Sequence, residues 1–235
     1  MSIRTLAVTL ARGGSKSVPK KNIKLLSGIP VIAHTIREAL RSNFINRYVV
    51  STDDVEIQKI ALSYGAECPF LRPAEFATDI ASSVAALQHA VGWVEREEGM
   101  QYDYVIELMA TNPMKTVNDI DRCIKKLIDT GADSVIAVHR LYDHHPARIK
   151  KVVDDRILDF CVPETLESRR QDLTPEAYIR SGSIYALRRD HLMVQGQRYG
   201  SAESRPYILP PERAVNIDSE IDFLIAELLF NMREK

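Results

Sequence analysis

Two hydrophobic periods alternate along the first 140 residues. The run "IRTLAVTL" predicts a strand over 4–10, and "PVIAHTIREALRSN" follows with Ile32, Ile36, Ala39 and Leu40 at helical spacing behind Pro30. "RYVVST" (47–52) reads as a second strand, and a helix runs from Asp54 to Tyr64 before the stop at Gly65. "AECPFL" is expected as a third strand. A long helix from Ser82 to Glu98 closes at Gly99, and "YDYVIELM" (102–109) is the fourth strand. Thr116 and Asp119 have the spacing of a capping box, opening a helix that ends at Gly131, after which "DSVIAVH" returns to strand. Strand and helix in alternation predict an α/β, doubly wound, mostly parallel sheet covered on both faces.

The regularity breaks between His139 and Ile179. "ARIKKVVDDRILDFC" reads as two short strands about an Asp154-Asp155 turn, and the polar "PETLESRRQDLTPEAY" follows. This segment is an insertion, giving a catalytic α/β domain over 1–138 and 180–235 and an inserted unit over 139–179. "GSIYAL" (182–187) resumes the strand pattern, and "EIDFLIAELLFNM" predicts a closing amphipathic helix.

Composition narrows the function classes. A net charge of -1 gives no global pull toward nucleic acid or an anionic membrane, and no apolar run approaches the roughly 18 residues of a spanning helix. "MSIRTLAVTLA" could pass for a short signal peptide, but its β-branched character and the Gly-rich turn after it read better as a first strand. Cys68, Cys123 and Cys161 are odd in number and far apart, which suggests neither a disulfide framework nor a zinc site and points to a reducing cytoplasmic home. His139, His144 and His145 invite a metal reading, yet neighbouring side chains on an extended segment point to opposite faces.

The first loop, "ARGGSKSVPKKN" (11–22), carries the candidate chemistry. It has neither the G-x-G-x-x-G nor the P-loop spacing, but offers two glycines and the cations Arg12, Lys16, Lys20 and Lys21 at the carboxyl end of the first strand, where open α/β sheets bind ligands. Its glycines are expected to let backbone N–H groups converge on an anion.

The spacing resembles the L-A-R-x-x-S-K-x-x-P-x-K-N signature of the acylneuraminate cytidylyltransferases, or CMP-sialic acid synthetases, with Leu10, Ala11, Arg12, Ser15, Lys16, Pro19, Lys21 and Asn22 all matching. "VVSTDDVEI", "LRPAEFATDIASS" (71–83), "HHP" (144–146), "RQDL" (170–173), "GSIY" (182–185) and "NIDSEID" (216–222) also follow the family's order. The resemblance implies a Rossmann-like fold of nucleotidyltransferase type with a small dimerisation insertion, acting as a homodimer. It implies transfer of CMP from CTP to the anomeric hydroxyl of a nonulosonic (sialic-acid-like) sugar, with release of pyrophosphate. Arg12, Lys16 and Lys21 then become phosphate-side cations, and Asn22, Arg72 and Ser83 contacts to cytosine and ribose. The alternatives are a 3-deoxy-octulosonate acceptor or a catalytically inactive nucleotide-binding subunit.

Several positions depart from the family pattern. Its D-x-D, which binds Mg²⁺, reads Asn216-x-Asp218 here, so one carboxylate is an amide, and Mg²⁺ is the implied cofactor. Glu220 and Asp222 could equally serve the dipole of the final helix. "ELMATNPMK" stands where the family has L-L-Q-P-T-S-P-L-R. That run places Met109 and Asn112 on the sugar side, and Met109 in place of Gln suits a methyl or deoxy carbon if it faces the sugar, although it could simply pack in the core. Ser181 replaces the Asn of the family's N-G-x-I-Y. By the same resemblance Arg148 and Arg170, supplied across a dimer, meet the sugar carboxylate, and Tyr185 lies on the sugar side. These departures lead to the expectation that a 9-deoxy, diamino-type acceptor such as legionaminic or pseudaminic acid is preferred over N-acetylneuraminic acid.

Overall fold

The computed structural model describes residues 3–14, 17–165 and 169–233. In chain order its elements are β1 (Thr5–Leu10), β2 (Leu25–Leu26), β3 (Ile29–Pro30), α1 (Val31–Leu40), β4 (Arg47–Ser51), α2 (Val55–Ser63), α3 (Ser83–Glu98), β5 (Tyr104–Leu108), α4 (Val117–Thr130) and β6 (Ser134–Arg140). Then come β7 (Lys150–Val153), β8 (Arg156–Asp159), β9 (Tyr178–Arg188), α5 (Arg189–Met193), β10 (Ser204–Ile208) and α6 (Glu220–Arg233).

Among the described residues the central sheet has six strands in the order β10-β6-β9-β5-β1-β4. β1 pairs in parallel with β4 and β5, and β6 with β10, while β9 runs antiparallel between β5 and β6. Alternate strand residues feed opposite faces. Ala7, Val50, Ile106 and Ala186 pack against α1, α2 and α4 on one side, and Leu6, Val8, Val105 and Leu187 pack against α3 and α5 on the other.

Caps define most helix ends where the sequence places them. Asp54 accepts from Glu56 and Ile57 N–H, Ser82 accepts from Val84 N–H, and Thr116 and Asp119 form the expected capping box. α3 and α4 stop at Gly99 and Gly131, both left-handed.

Three expectations need correction. "AECPFL" forms no regular strand: Glu67 and Leu71 make isolated bridges to Val49 and Thr52, because Pro69 between them cannot donate to a ladder. β10, unforeseen because Pro206 sits at its centre, lies at the sheet edge, where a missing N–H costs little. α6 buries only Phe223 and Ala226, and Ile221, Leu224, Leu228 and Met232 of the same helix are exposed. In the 139–179 segment, β7 and β8 pair as the separate hairpin expected, with Asp154 and Asp155 both at positive φ in its turn.

A third apolar cluster fixes the site. Val18, Leu26 and Val31 of the first connection pack with Ile217 just ahead of α6 and with Phe223 on it. The loop after β1 is thereby clamped against residues 216–218, far away in sequence.

Candidate active site

Five chain segments meet at the carboxyl ends of β1, β4 and β5 and the middle of β9. Ala11 N–H is bound by Ser51 O at 3.0 Å, Met109 N–H by Ser183 O at 3.0 Å, and Ile217 N–H by Thr111 O at 2.7 Å. These cross-connections set the floor of the site.

The loop after β1 differs in detail from its sequence reading. Gly13 is needed for space: a Cβ there would lie 2.5 Å from Asp54 Oδ2, and its N–H is donated to Asp53 at 3.1 Å instead of pointing outward. Asn22 is buried and its Nδ2 donates to Arg12 O at 3.0 Å, so it braces the loop from within. Lys20 turns away to Glu56 at 2.7 Å. Lys21 points inward, with Nζ donating to Ile217 O and, at 3.1 Å, to Asp218 Oδ1. Ser15 and Lys16 lie outside the described residues.

Beside the loop is a pocket lined by Leu10, Arg12, Arg72, Ser83, Glu107 and Met109. Ala11 is buried beneath it in the core, and Arg12 at its edge pairs with Asp79 at 2.8 Å. Arg72 is almost wholly buried; its Nη2 approaches Asp53 at 3.5 Å, and among the described residues neither Nε nor Nη2 has a hydrogen-bond partner. Burial lowers its guanidinium's pKa, and the two buried donors call for an acceptor supplied by a ligand. Met109 packs against the α3-side core, as the core reading of it allowed, and also lines this pocket.

A second cleft, of about 460 Å³, is lined by His139, Arg180, Gly182, Tyr185, Asn216 and Asp218 among others. Asp218 is held on both oxygens, by Lys21 and by Asn216 Nδ2, while the Asn216 oxygen accepts from Thr111 Oγ1 at 2.7 Å. Gly182, at φ 61°, passes so close that a Cβ would lie 3.3 Å from Asn216 Cγ. Asp222 accepts from Asp218 N–H, Ser219 N–H and Ser219 Oγ, which fixes the 218–219 turn. Its role at the start of α6 is structural, as the helix-dipole reading of it allowed.

Mg²⁺ fits the donor chemistry here, since Asp218 is an exposed hard-oxygen carboxylate and this ion commonly takes one or two carboxylates with substrate phosphates. Asn216 uses one lone pair of its oxygen on Thr111, and its Nδ2 orients Asp218. No cluster of three His, Cys, Asp or Glu residues occurs among the described residues.

The other sugar-side candidates are dispersed. Asn112 is fully buried with Nδ2 3.4 Å from Ser181 O, because the turn after β5 folds inward, so it does not line the cleft. Arg148 approaches Glu164 at 3.6 Å. Arg170 pairs with Asp143 at 3.1 Å in a separate groove beside Arg140 and Tyr142.

Three features escaped the sequence reading. Glu107 is completely buried in β5 and receives both hydrogen bonds from Arg198 Nη1, at 2.7 and 3.0 Å. Burial pushes its carboxyl up to about 7 against the opposing pull of Arg198. A lone carboxylate inside the apolar run "YVIEL" was the available signal. Lys115, also buried, donates to Thr35 Oγ1, Met109 O and Asn112 O and so pins the turn that follows β5; burial lowers its ammonium to about 7. Arg180 lines the Asp218 cleft.

The family model described as cytidylyltransferase matches residues 6–219. Pseudaminic acid cytidylyltransferase of Campylobacter jejuni is 30% identical over 233 residues, 99% of each chain. CMP-N,N'-diacetyllegionaminic acid synthase of Legionella pneumophila is 30% identical over 240 residues, again 99% of each. N-acylneuraminate cytidylyltransferase A of Danio rerio is 33% identical over 221 residues, 94% of this chain and 49% of that one. Among solved structures, a CMP:2-keto-3-deoxy-manno-octonic acid synthetase complexed with CTP superposes with a TM-score of 0.70 at 20% identity, covering 98% of this chain and 99% of that one, which shows the shared fold. With the glycine-bearing loop after β1, the buried arginine pocket and the Lys21–Asp218 pair in place, the match over nearly the whole chain shows that this protein is a nucleotidyltransferase of the cytidylyltransferase family.

Proposed function

We propose that the enzyme transfers CMP from CTP to the anomeric hydroxyl of a nonulosonic acid and releases pyrophosphate. The observation that carries this reading is the Lys21–Asp218 pair, which joins the phosphate-side loop to the second cleft. The names of the relatives support the acceptor class, since the three described above are named for pseudaminic acid, an N-acylneuraminate and a diacetyllegionaminic acid.

The residues divide the work. Arg72 offers its unpaired N–H groups to cytosine in the first pocket, with Ser83 at the rim toward the ribose. The sugar hydroxyl attacks the α-phosphorus in line; the new O–P bond forms as the bond to the bridging oxygen breaks, the electron pair leaves with pyrophosphate, and the hydroxyl proton passes to solvent water. Lys21, Arg12 and Lys16 meet the negative charge that builds on the leaving group. Asp218 would hold Mg²⁺ together with nucleotide phosphate oxygens, and the ion when bound supplies positive charge at the α-phosphate. Asn216 keeps the Asp218 carboxylate turned to that position, and Tyr185 walls the sugar.

The working form is proposed to be a homodimer through the 139–179 segment. Its hairpin exposes the cross-strand pair Val152 and Ile157, which makes an apolar face that a second copy would cover. Arg148 and Arg170 would then reach the partner's sugar.

Pyrophosphate release with CTP, ATP, GTP and UTP, each with a nonulosonic acid and Mg²⁺, tests the proposal. CTP alone should support turnover. Equal rates with UTP would remove the cytidine assignment, and turnover confined to 3-deoxy-octulosonate would remove the acceptor class.

A further inference from the structure

In a 2-keto acid the carboxylate is bonded directly to the anomeric carbon, so it must fall in the same cleft as the reacting hydroxyl. This step rests on the acceptor class proposed above. The side chains of this chain that line the Asp218 cleft include one guanidinium, that of Arg180. Among the described residues no carboxylate pairs with it, whereas Arg148 and Arg170 sit beside Glu164 and Asp143 in the segment proposed to reach across the dimer.

Arg180 is held by stacking. Its guanidinium lies 4.1 Å from the Tyr199 ring centre, the Tyr199 and Tyr185 rings are 6.1 Å apart, and Arg198 lies 4.4 Å from the centre of Tyr185. Arg198 is in turn fixed by the buried Glu107, which also balances its charge. A stacked guanidinium keeps its in-plane N–H groups free for a two-pronged contact with a carboxylate. Nearby, His139 Nδ1 is buried with no hydrogen-bond partner among the described residues, and burial lowers the ring's pKa and favours its neutral form, so it is available to a sugar hydroxyl.

We propose that Arg180 binds the acceptor carboxylate within its own subunit, aimed by a stack of Tyr199, Tyr185 and Arg198 that is anchored on Glu107. Arg198 is a positioning residue in this scheme.

Steady-state kinetics of Arg180→Ala, Arg180→Lys and Arg198→Lys test it, using a nonulosonic acid and its methyl ester as acceptors. Arg180→Ala should raise the acceptor KM about 10- to 100-fold, the loss of a hydrogen-bonded charge pair, with the CTP KM within about twofold. The ester should be a poor acceptor for wild type and suffer no further loss in Arg180→Ala, because the partner charge is already gone. Arg180→Lys should recover part of the affinity, and Arg198→Lys should show a smaller rise confined to the acceptor. Equal rises for CTP and acceptor, an ester as sensitive as the acid, or an unchanged Arg180→Ala would each overturn the inference alone. A wild type inactive on every nonulosonic acid would overturn the proposed acceptor class and this inference with it.

Discussion

The clamp around Asp218 and the hairpin of the 139–179 segment use apolar residues in opposite ways. At the clamp, Val18, Leu26, Val31 and Ile217 are completely buried, and they hold the phosphate-side loop to the Asp218 turn within one chain. On the hairpin, Val152 is 74% and Ile157 is 75% exposed, and β7 and β8 pair only with each other. An isolated two-stranded hairpin is marginal in water. The contrast teaches that the β1 loop and the Asp218 turn are held by the chain's own packing, whereas the hairpin leaves its apolar face uncovered.

The sharpest way to break this division is at the clamp's chemical end. Asp218→Ala should lower kcat by about a thousandfold while leaving the melting temperature near wild type, because Asp218 is exposed and its removal deletes charge at the reaction centre, not packing. Steady-state rates at saturating Mg²⁺ beside a thermal melt measure both halves. Near-normal kcat would withdraw the metal role.

At the other end, Ile157→Lys should leave the monomer fold intact and weaken self-association about 10- to 100-fold, since it puts charge into the apolar face without touching the core. Light scattering across a concentration series reads this directly. A wild type that stays monomeric at every concentration would mean that the hairpin serves another partner.

The contrast also explains what the sequence revealed. Asp54, Ser82, Thr116, Gly99 and Gly131 marked helix ends because capping is a local act, settled within a few residues. The antiparallel direction of β9 was not legible, since an apolar period of two carries no direction, and the strand's place between β5 and β6 is a decision of the whole sheet. At the site, Lys21 and Asp218 are 197 positions apart, and only the family resemblance suggested that they belong together. Asn112 looked like a sugar contact from its polar run, yet the turn after β5 buries it. Glu107 was visible as an anomaly in a strand, but its meaning depends on Arg198, 91 residues later.

A smaller effect sharpens the account of how the turn after β5 is held. Lys115 has its folded-state pKa lowered to about 7, so between about pH 7 and its ordinary value near 10.5 the unfolded chain binds the extra proton. Stability from this group therefore rises with pH above 7. From pH 7 to 9 the gain should be about 1–2 kcal/mol relative to Lys115→Met, compared by denaturant unfolding of both proteins. Parallel pH curves for the two would show that Lys115 stays charged in the fold.

Least in size, Asn216→Asp should lower the Mg²⁺ concentration for half-maximal rate by about three- to tenfold, by placing a second carboxylate beside Asp218. The same substitution breaks the Asn216–Asp218 hydrogen bond, so its metal-free form should melt slightly lower than wild type. A Mg²⁺ titration unchanged by the substitution would confine position 216 to orienting its neighbour.

Acceptor choice tests the central claim most directly. Limiting enzyme, CTP and Mg²⁺ are mixed with equal amounts of pseudaminic acid, a diacetylated legionaminic acid and N-acetylneuraminic acid, and the CMP-sugars are read by mass. With Met109, which lines the pocket beside the β1 loop, standing where the resembling family has an amide, a 9-deoxy diamino sugar should be favoured by about 10- to 200-fold, the span one apolar contact provides. A clear preference for N-acetylneuraminic acid would contradict this account and show that Met109 does not meet the sugar's tail.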